Sequence, residues 1–473
     1  MSSDLFSHNN SRSDYWNHIW KKRANIKGFG GYYHKRLQKI YEFLISNDSS
    51  ILEVGCGNGN LIGHLSGLKK IGIDISQEAI NLANVNYPDC TFVCSDISQF
   101  LFNKKFDYII LSDLVGDLWD IQLTLQALQS YCHDGTRIIF NFYSKLWSFP
   151  LSIGESLGLK KKSMRQNWVT QEDLDNLLYL SGFDVVKSWS EILIPFNFPV
   201  LTWISNRILV KLFFFRLFAL SNFLVAKPIT SKKDSPSVSI IVAARNEAGH
   251  IKEIIKRVPK LGSHTELIFV EGGSSDDTYE VISREIRARG NNDIQLYKQD
   301  GKGKGNAVRM GFEKATGDIL MILDADLTVP PEKLPLFYQA ISNGNGEFIN
   351  GVRLLYPMEK NAMRPFNFLG NKFFSLSFSW VLGQSIKDTL CGTKVLWKKD
   401  YEKIKDNRSY FGEFDPFGDF DLIFGAAKLN LKIVDLPIRY QERRYGETNI
   451  SRWSHGFLLL RMLIFSLGKI KFV

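Results

Sequence analysis

Short apolar runs that end in glycine or an acid, with helical segments between them, recur along this chain in two separate series. An apolar run of four to seven residues bounded by turn formers reads as a strand buried on both faces. Strands that alternate with helices read as a sheet covered by helices. The first series opens at 51–54 and continues through 69–76, 90–98, 106–114 and 136–144. Later strand candidates around 184–194 and 221–228 bring it to seven. The second opens at Val238 and runs through 266–270 and 319–323, and between the two lies the short polar stretch Ser-Lys-Lys-Asp-Ser-Pro-Ser, 231–237. A chain of 473 residues is also too long for one ordinary core. The expectation is an α/β protein of two domains, 1–230 and 238–473, with 231–237 as linker.

The last strand of the second series poses the sharpest chemical question. Five apolar residues, Ile319 to Leu323, end abruptly in Asp324-Ala325-Asp326. Alternation along a strand turns positions 324 and 326 the same way, and two like charges so placed repel unless something positive sits between them. A hard divalent cation takes carboxylate oxygens and fits that need. The plain alternative is a turn followed by a helix cap, with Pro330-Pro331-Glu332 opening the helix.

Composition narrows the partners. Hydrophobic residues at 44% and aromatics at 13% mark a globular chain. The net charge of +10 divides as +3 over residues 1–230 and +7 over the rest, which suits phosphate-bearing substrates or an anionic membrane surface. No basic helix or nucleic-acid motif accompanies it, so no nucleic-acid partner is expected. The five cysteines show no Cys-x-x-Cys pairing and the N-terminus is polar without a secretory signal, so the expected location is cytoplasmic. Apolar stretches at 192–226 and 457–468 are interrupted by Arg207, Lys211 and Arg216 and by Arg461. Neither reaches the ~20 uncharged residues of a membrane span. Both read as interfacial or packing helices, and the former reading makes the protein peripheral on the inner face of the cell membrane.

In the first series the opening strand runs into Gly55-Cys56-Gly57-Asn58-Gly59, the arrangement in which backbone approaches a ligand closely. The second strand ends in Asp74, at the spacing where an acid meets ribose hydroxyls, and the third ends in Ser95-Asp96. The turn lacks the last glycine of the dinucleotide fingerprint, which also leaves the third-strand acid unexplained. With Glu53-Val54 before the glycine turn, Asp74, and Ser95-Asp96-Ile97, the segment resembles the class I S-adenosylmethionine-dependent methyltransferases over roughly residues 30–230. The resemblance implies a Rossmann-like fold with a seven-stranded sheet and S-adenosyl-L-methionine as cofactor. Glu53, Gly55, Gly57 and Gly59 would then lie along its methionine part, Asp74 at the ribose and Asp96 at the adenine. Ser112-Asp113-Leu114 would stand near the methyl group, and Tyr32, Tyr33 and His34 are candidates for the acceptor pocket.

The second series, with Ala243-Ala244-Arg245-Asn246-Glu247 after its first strand, Glu271-Gly272 after its second, the Gly/Lys-rich 301–305 and the Asp-Ala-Asp, resembles the family 2 glycosyltransferases over about 237–450. It is most similar to the polyprenyl-phosphate sugar synthases. The resemblance implies a GT-A nucleotide-binding fold and a nucleoside diphosphate sugar donor. Ala243, Arg245, Glu247 and Glu271 would lie along the nucleotide, with Lys302 and Lys304 toward the diphosphate. Asp324, Ala325 and Asp326 would hold Mg²⁺ or Mn²⁺, Asp326 being catalytic. Arg353, Lys394 and Arg443 would meet a polyprenyl phosphate acceptor. Where relatives carry Asp-Asp, Gln, Arg and a late Lys, this chain has Glu271-Gly272, Thr328, Lys394 and Asn449. Those departures leave a glycan hydroxyl acceptor open, for which Asp419 or Asp421 is the candidate base.

Overall fold

The structure, a computed structural model, describes every residue except 1–2, 24–30, 101, 158–163, 291, 357–364, 411–417, 419, 443–444, 446–451 and 473. It divides into two compact units, residues 1–229 together with Phe472, and residues 230–471. Each unit holds its own seven-stranded sheet.

The first sheet comprises β1 (Ser50–Val54), β2 (Lys69–Asp74), β3 (Thr91–Cys94), β4 (Phe106–Ser112), β5 (Cys132–Tyr143), β6 (Phe183–Glu191) and β7 (Ser221–Pro228), in the order β3-β2-β1-β4-β5-β7-β6. The first five run parallel, and β7 lies antiparallel to both β5 and β6. Helices cover both faces. Leu37, Tyr41 and Leu44 of helix Gly31–Leu44 pack with Ile51 and Ile110, whereas Leu125, Leu128, Leu174 and Leu178 pack with Leu52 and Ile109 on the other side. Successive residues of β1 and β4 therefore feed opposite cores, which is why their sequences are continuously apolar. Ser76 and Thr170 cap the helices Gln77–Asn86 and Gln171–Leu180, each hydroxyl accepting from a first-turn backbone N–H. The apolar stretch 192–226 is not one element. Its last part is β7, buried in the sheet, and 192–220 is a separate connection containing helix Pro199–Arg207.

The second sheet comprises β8 (Val238–Ala244), β9 (Thr265–Glu271), β10 (Ile294–Lys298), β11 (Ile319–Ile322), β12 (Phe348–Val352), β13 (Lys394–Trp397) and β14 (Ile433–Pro437), in the order β10-β9-β8-β11-β13-β12-β14. The early strand–helix alternation suggests an all-parallel sheet, yet β13 runs antiparallel between β11 and β12. The excursion after β12, which contains helix Pro365–Leu382, returns the chain to the end it left from, so β13 starts where β11 and β12 finish. Strand order reverses between β1 and β4 and between β8 and β11, and at such points the carboxyl ends of an open sheet leave a crevice.

Candidate active sites

In the first unit the crevice is a cavity of about 730 Å³. Glu53, Gly55, Gly57, Asp74, Asp96, Ser112, Asp113 and His34 all line it. Gly55 and Gly57 have φ of 72° and 53°, and a Cβ on them would lie 2.7 Å from Leu114 and 3.0 Å from Trp20. The turn thus needs glycine for both dihedral and space. Asp74 holds it in place: Oδ2 accepts from Gly57 N at 2.8 Å and Oδ1 from Ser76 N at 2.8 Å. Burial raises the Asp74 carboxyl above its usual range despite those bonds. Glu53 accepts from Ile62 N at 3.1 Å, and burial pushes it up to about 8. Gly59 instead faces Phe92 and Tyr87 and serves packing.

The sequence reading missed the N-terminal helix Ser3–Arg23. Asn9 Nδ2 donates to Asp96 Oδ2 at 3.1 Å, Ser13 donates to Ile75 O at 2.9 Å, and Trp16, Trp20 and Arg12 line the same cavity. The available signal was Trp16 and Trp20, four apart on a helix and so on one face.

Deeper in this unit stands a four-element network. Tyr33 donates to Asp113 Oδ1 and Oδ2 at 2.9 and 3.0 Å, Asn141 Nδ2 donates to Asp113 Oδ1 at 2.7 Å, and Tyr41 donates to Asn141 Oδ1 at 2.7 Å. The Ser221 hydroxyl lies 3.1 Å from Tyr33 Oη. Asp113 has φ of 53°, an uncommon conformation for a non-glycine residue and one found at functional sites. Burial, opposed by the Tyr33 bond and aided by Asp117, raises its carboxyl to about 7. Tyr32 accepts from Asn206 Nδ2 at 3.2 Å, outside this network.

In the second unit the loops after β8 and β9 are knit together. Asn246 N donates to Ser274 Oγ at 3.0 Å, Glu247 N to Thr278 Oγ1 at 2.9 Å and Ser275 N to Asn246 Oδ1 at 2.8 Å. Glu271 is buried and accepts from Ser274 N at 2.5 Å, and Glu247 is buried 2.9 Å from His250 Nδ1. Arg245 is exposed beside them, and Ala243 is half-buried.

Past β11 the charges converge. Lys304 Nζ donates to Asp324 Oδ1 at 2.6 Å, while Asp326 Oδ1 accepts from Thr328 N and Oγ1 at 3.1 and 2.7 Å. Ala325 is buried between the two acids. Burial pushes the Asp324 carboxyl up, but Lys304, with Arg353 and Lys394 beyond it, outweighs burial and holds it below the usual range. Arg353 is clamped by Asp388 through Nε and Nη2 at 2.7 and 2.9 Å, and Lys394 is fully buried against Asn350 Oδ1 and Cys391 O. A Cβ on Gly392 would fall 2.1 Å from Asp324 Oδ2 and 2.3 Å from Lys304 Nζ, so this loop rests directly on the pair. Among the described residues no group of three or more His, Cys, Asp or Glu side chains is arranged to hold a metal ion. A cation on Asp324 and Asp326 therefore fits only with nucleotide oxygens completing its shell.

Arg443 and Asp419 lie outside the described residues. Their neighbours are described: Tyr445 stacks edge-on to His250 with ring centroids 5.6 Å apart, and Gly418 packs on Gly305 beside Lys304. Asp421 is paired with Arg408 at 3.1 Å and Arg309 at 3.7 Å, an arrangement that ties it to its own helix surroundings.

Comparisons with known proteins agree with this division. Residues 29–188 match the model of a methyltransferase domain, and residues 239–420 match that of glycosyl transferase family 2. Among curated proteins the chain is 26% identical over 234 residues to the low-salt glycan biosynthesis hexosyltransferase Agl6 of Haloferax volcanii, covering 49% of this chain and 54% of that protein. It is 30% identical over 220 residues to an undecaprenyl-phosphate 4-deoxy-4-formamido-L-arabinose transferase of Klebsiella pneumoniae, covering 45% and 62%. The chain thus spans only part of the length of these relatives. Among solved structures, magnesium protoporphyrin IX methyltransferase from Synechocystis with bound SAH covers 46% of this chain and 99% of its own at 18% identity and a TM-score of 0.34. Glucosyl-3-phosphoglycerate synthase from Mycobacterium tuberculosis covers 50% and 80% at 19% identity and a TM-score of 0.38.

Proposed function

Since a methyltransferase domain precedes a family 2 glycosyltransferase domain in one polypeptide, we propose that the chain is a bifunctional transferase. In this reading the second domain moves a sugar, with inversion, from a nucleoside diphosphate sugar to a polyprenyl phosphate. The first methylates an acceptor with S-adenosylmethionine.

For sugar transfer, the observation that carries the reading is the Lys304–Asp324 ion pair just past the end of β11, with the loop at Gly392 resting directly on it. Asp324 and Asp326 would hold Mg²⁺ or Mn²⁺, which offsets charge on the departing diphosphate. Lys304 can leave Asp324 for that diphosphate, and Glu271 and Arg245 border the nucleotide side. Lys394, fully buried against Asn350 Oδ1 and Cys391 O, supports the 388–394 loop from within and does not itself meet the acceptor. A relative named for undecaprenyl phosphate supports the acceptor, and outward apolar side chains in this unit support a membrane location. Leu369, Phe373 and Leu376 are exposed on helix Pro365–Leu382, as are Phe457 and Ile464 on helix Arg452–Ser466. The same last helix buries Leu459, Met462 and Leu463 in the core, so it is a structural element as well as a surface one. No helix among the described residues is long and apolar enough to cross a membrane.

For methyl transfer, Gly55, Gly57, Asp74 and Asp96 line a cavity that fits the cofactor, whose role is to supply an electrophilic methyl group. Asp113, half-buried on the cavity wall and held by Tyr33 and Asn141, would take up a proton leaving the acceptor. Incubation with a panel of sugar nucleotides, scored for free nucleotide with undecaprenyl phosphate or a saccharide as acceptor, tests the first activity. Labelled S-adenosylmethionine tests the second. Nucleotide release with the saccharide alone overturns the lipid acceptor.

A further inference from the structure

The connection 192–220 of the first unit leaves β6 at Glu191 and rejoins the sheet at Ser221. It is firmly anchored. Asn206, 1% exposed, accepts from Leu193 N and Ile194 N and donates to Ile194 O, and Lys211 turns inward onto buried Glu191 together with Arg36. Its large apolar side chains nevertheless point outward: Val200 is 72% exposed, Trp203 52%, Phe213 73%, Phe214 64% and Phe218 55%. Trp147 Nε1 donates to Phe218 O at 3.1 Å, which brings helix Ser148–Ser156, with exposed Phe149 and Ile153, to the same surface. An apolar surface of this extent, held in place by a satisfied backbone, marks an interaction site.

We infer that this surface docks the first unit on an anionic lipid bilayer, so that the methyl acceptor is an amphiphile drawn from the membrane. Charge decides the occupant. Residues 192–220 contain no Asp or Glu, and with Lys211 paired to Glu191 their exposed charges are Arg207, whose Nε also donates to Phe472 O at 2.7 Å, and Arg216. Helix Ser148–Ser156 adds one half-buried acid, Glu155, so cations still outnumber acids on this surface. Their guanidinium groups lie 5.8 Å from the Trp203 ring and 5.0 Å from the Phe213 ring, the mixture of aromatic and cationic groups that suits the headgroup level. A second copy of this surface would set those cations against their own kind. The connection is also tied to the network behind the cavity: Ser144 N donates to Leu220 O, Asn206 reaches Tyr32, and Ser221 lies against Tyr33, which holds the cavity-lining Asp113. This inference does not rest on the acceptor proposed for the second unit.

Flotation of the full chain with phosphatidylcholine vesicles, with and without phosphatidylglycerol, tests it. Wild type should bind the phosphatidylglycerol vesicles and release with salt. Phe213→Ser/Phe214→Ser/Phe218→Ser should lower partitioning on the order of tenfold or more, and Arg207→Glu/Arg216→Glu should remove the preference for anionic lipid. S-adenosylmethionine binding unchanged in both shows that the fold is intact. Partitioning of the triple variant equal to wild type overturns the inference, as does wild type failing to bind either vesicle. Loss of binding only on Phe457→Ser/Ile464→Ser assigns docking to the second unit and overturns it too. Sedimentation velocity showing a wild-type dimer that the triple variant abolishes, without vesicle binding, would replace the bilayer by a second copy.

Discussion

The Lys304 ammonium sits 2.6 Å from Asp324 Oδ1, on the first of the two acids that follow β11. The protein therefore carries its own counter-charge until a substrate brings another. Replacing Lys304 with Met removes the competitor, so Mn²⁺ alone should bind more tightly, while turnover falls because the diphosphate loses its ammonium. Mn²⁺ titration by electron paramagnetic resonance checks the first part. Unchanged Mn²⁺ affinity would show that the pair does not guard the cation site.

Sugar transfer should require Mg²⁺ or Mn²⁺ and vanish with a chelator. Asp326→Ala should cost several kcal/mol of transition-state stabilisation, an order-of-magnitude expectation for a metal acting as Lewis acid. Asp326→Asn keeps an oxygen ligand and should retain part of the rate. Wild-type rates for both variants in the presence of chelator would leave the acids as a turn and a cap only.

Gly392→Ala should abolish sugar transfer without unfolding the protein or touching methyl transfer. The added methyl would fall within 2.4 Å of both Asp324 carboxylate oxygens and Lys304 Nζ. Activity within about twofold of wild type, the ordinary range for a harmless surface change, would mean that the 388–394 loop moves freely off the site.

Asp74→Ala should weaken S-adenosylmethionine binding substantially, because it removes the acceptor for Gly57 N and Ser76 N that holds the glycine turn, as well as the contact proposed to the cofactor. Calorimetry that finds NAD binding and no S-adenosylmethionine binding would reverse the cofactor assignment.

Asp113 gives a pH signature. Tyr33 and Tyr41 from helix Gly31–Leu44, Asp117 beyond β4, and Ser221 of β7 face its network, and its carboxyl is pushed up to about 7. A proton acceptor must be ionised, so methyl transfer should climb as pH rises through about 7, and Asp113→Asn should be slow and pH-flat. Stability runs the other way. The folded state holds the proton more tightly than the unfolded chain, whose carboxyl titrates near 3.8, so stability falls as pH rises from there to about 7. Asp113→Asn should thus melt higher than wild type at pH 8 and close to it at pH 4. A wild-type rate profile without an inflection near neutrality would remove Asp113 from proton uptake.

Sequence carried the strand ends well, because a buried strand must be apolar and must stop where the chain meets solvent or ligand. That principle located Gly55, Asp74, Asp96, Asp324 and the two-domain division in local patterns alone. It could not foresee β13, whose direction depends on where a long excursion returns. Nor could it pair Lys304 with Asp324 or Arg353 with Asp388, since those contacts join segments 20 and 35 residues apart. The Tyr33–Asp113–Asn141–Tyr41 network was hidden for the same reason, its members coming from one helix, one strand and the loop after β4. Helix Ser3–Arg23 was overlooked because Trp16 and Trp20 serve a cavity and only Ile19 among its described apolar residues is buried, so no continuous apolar stripe marks it.

Each sheet is covered on both faces by its own apolar clusters. Linking them in one polypeptide is therefore not a means of completing either fold. What the linkage secures is supply: every ribosome pass delivers one methyltransferase domain for one family 2 glycosyltransferase domain. Whatever recruits either unit to a place in the cell delivers its companion as well.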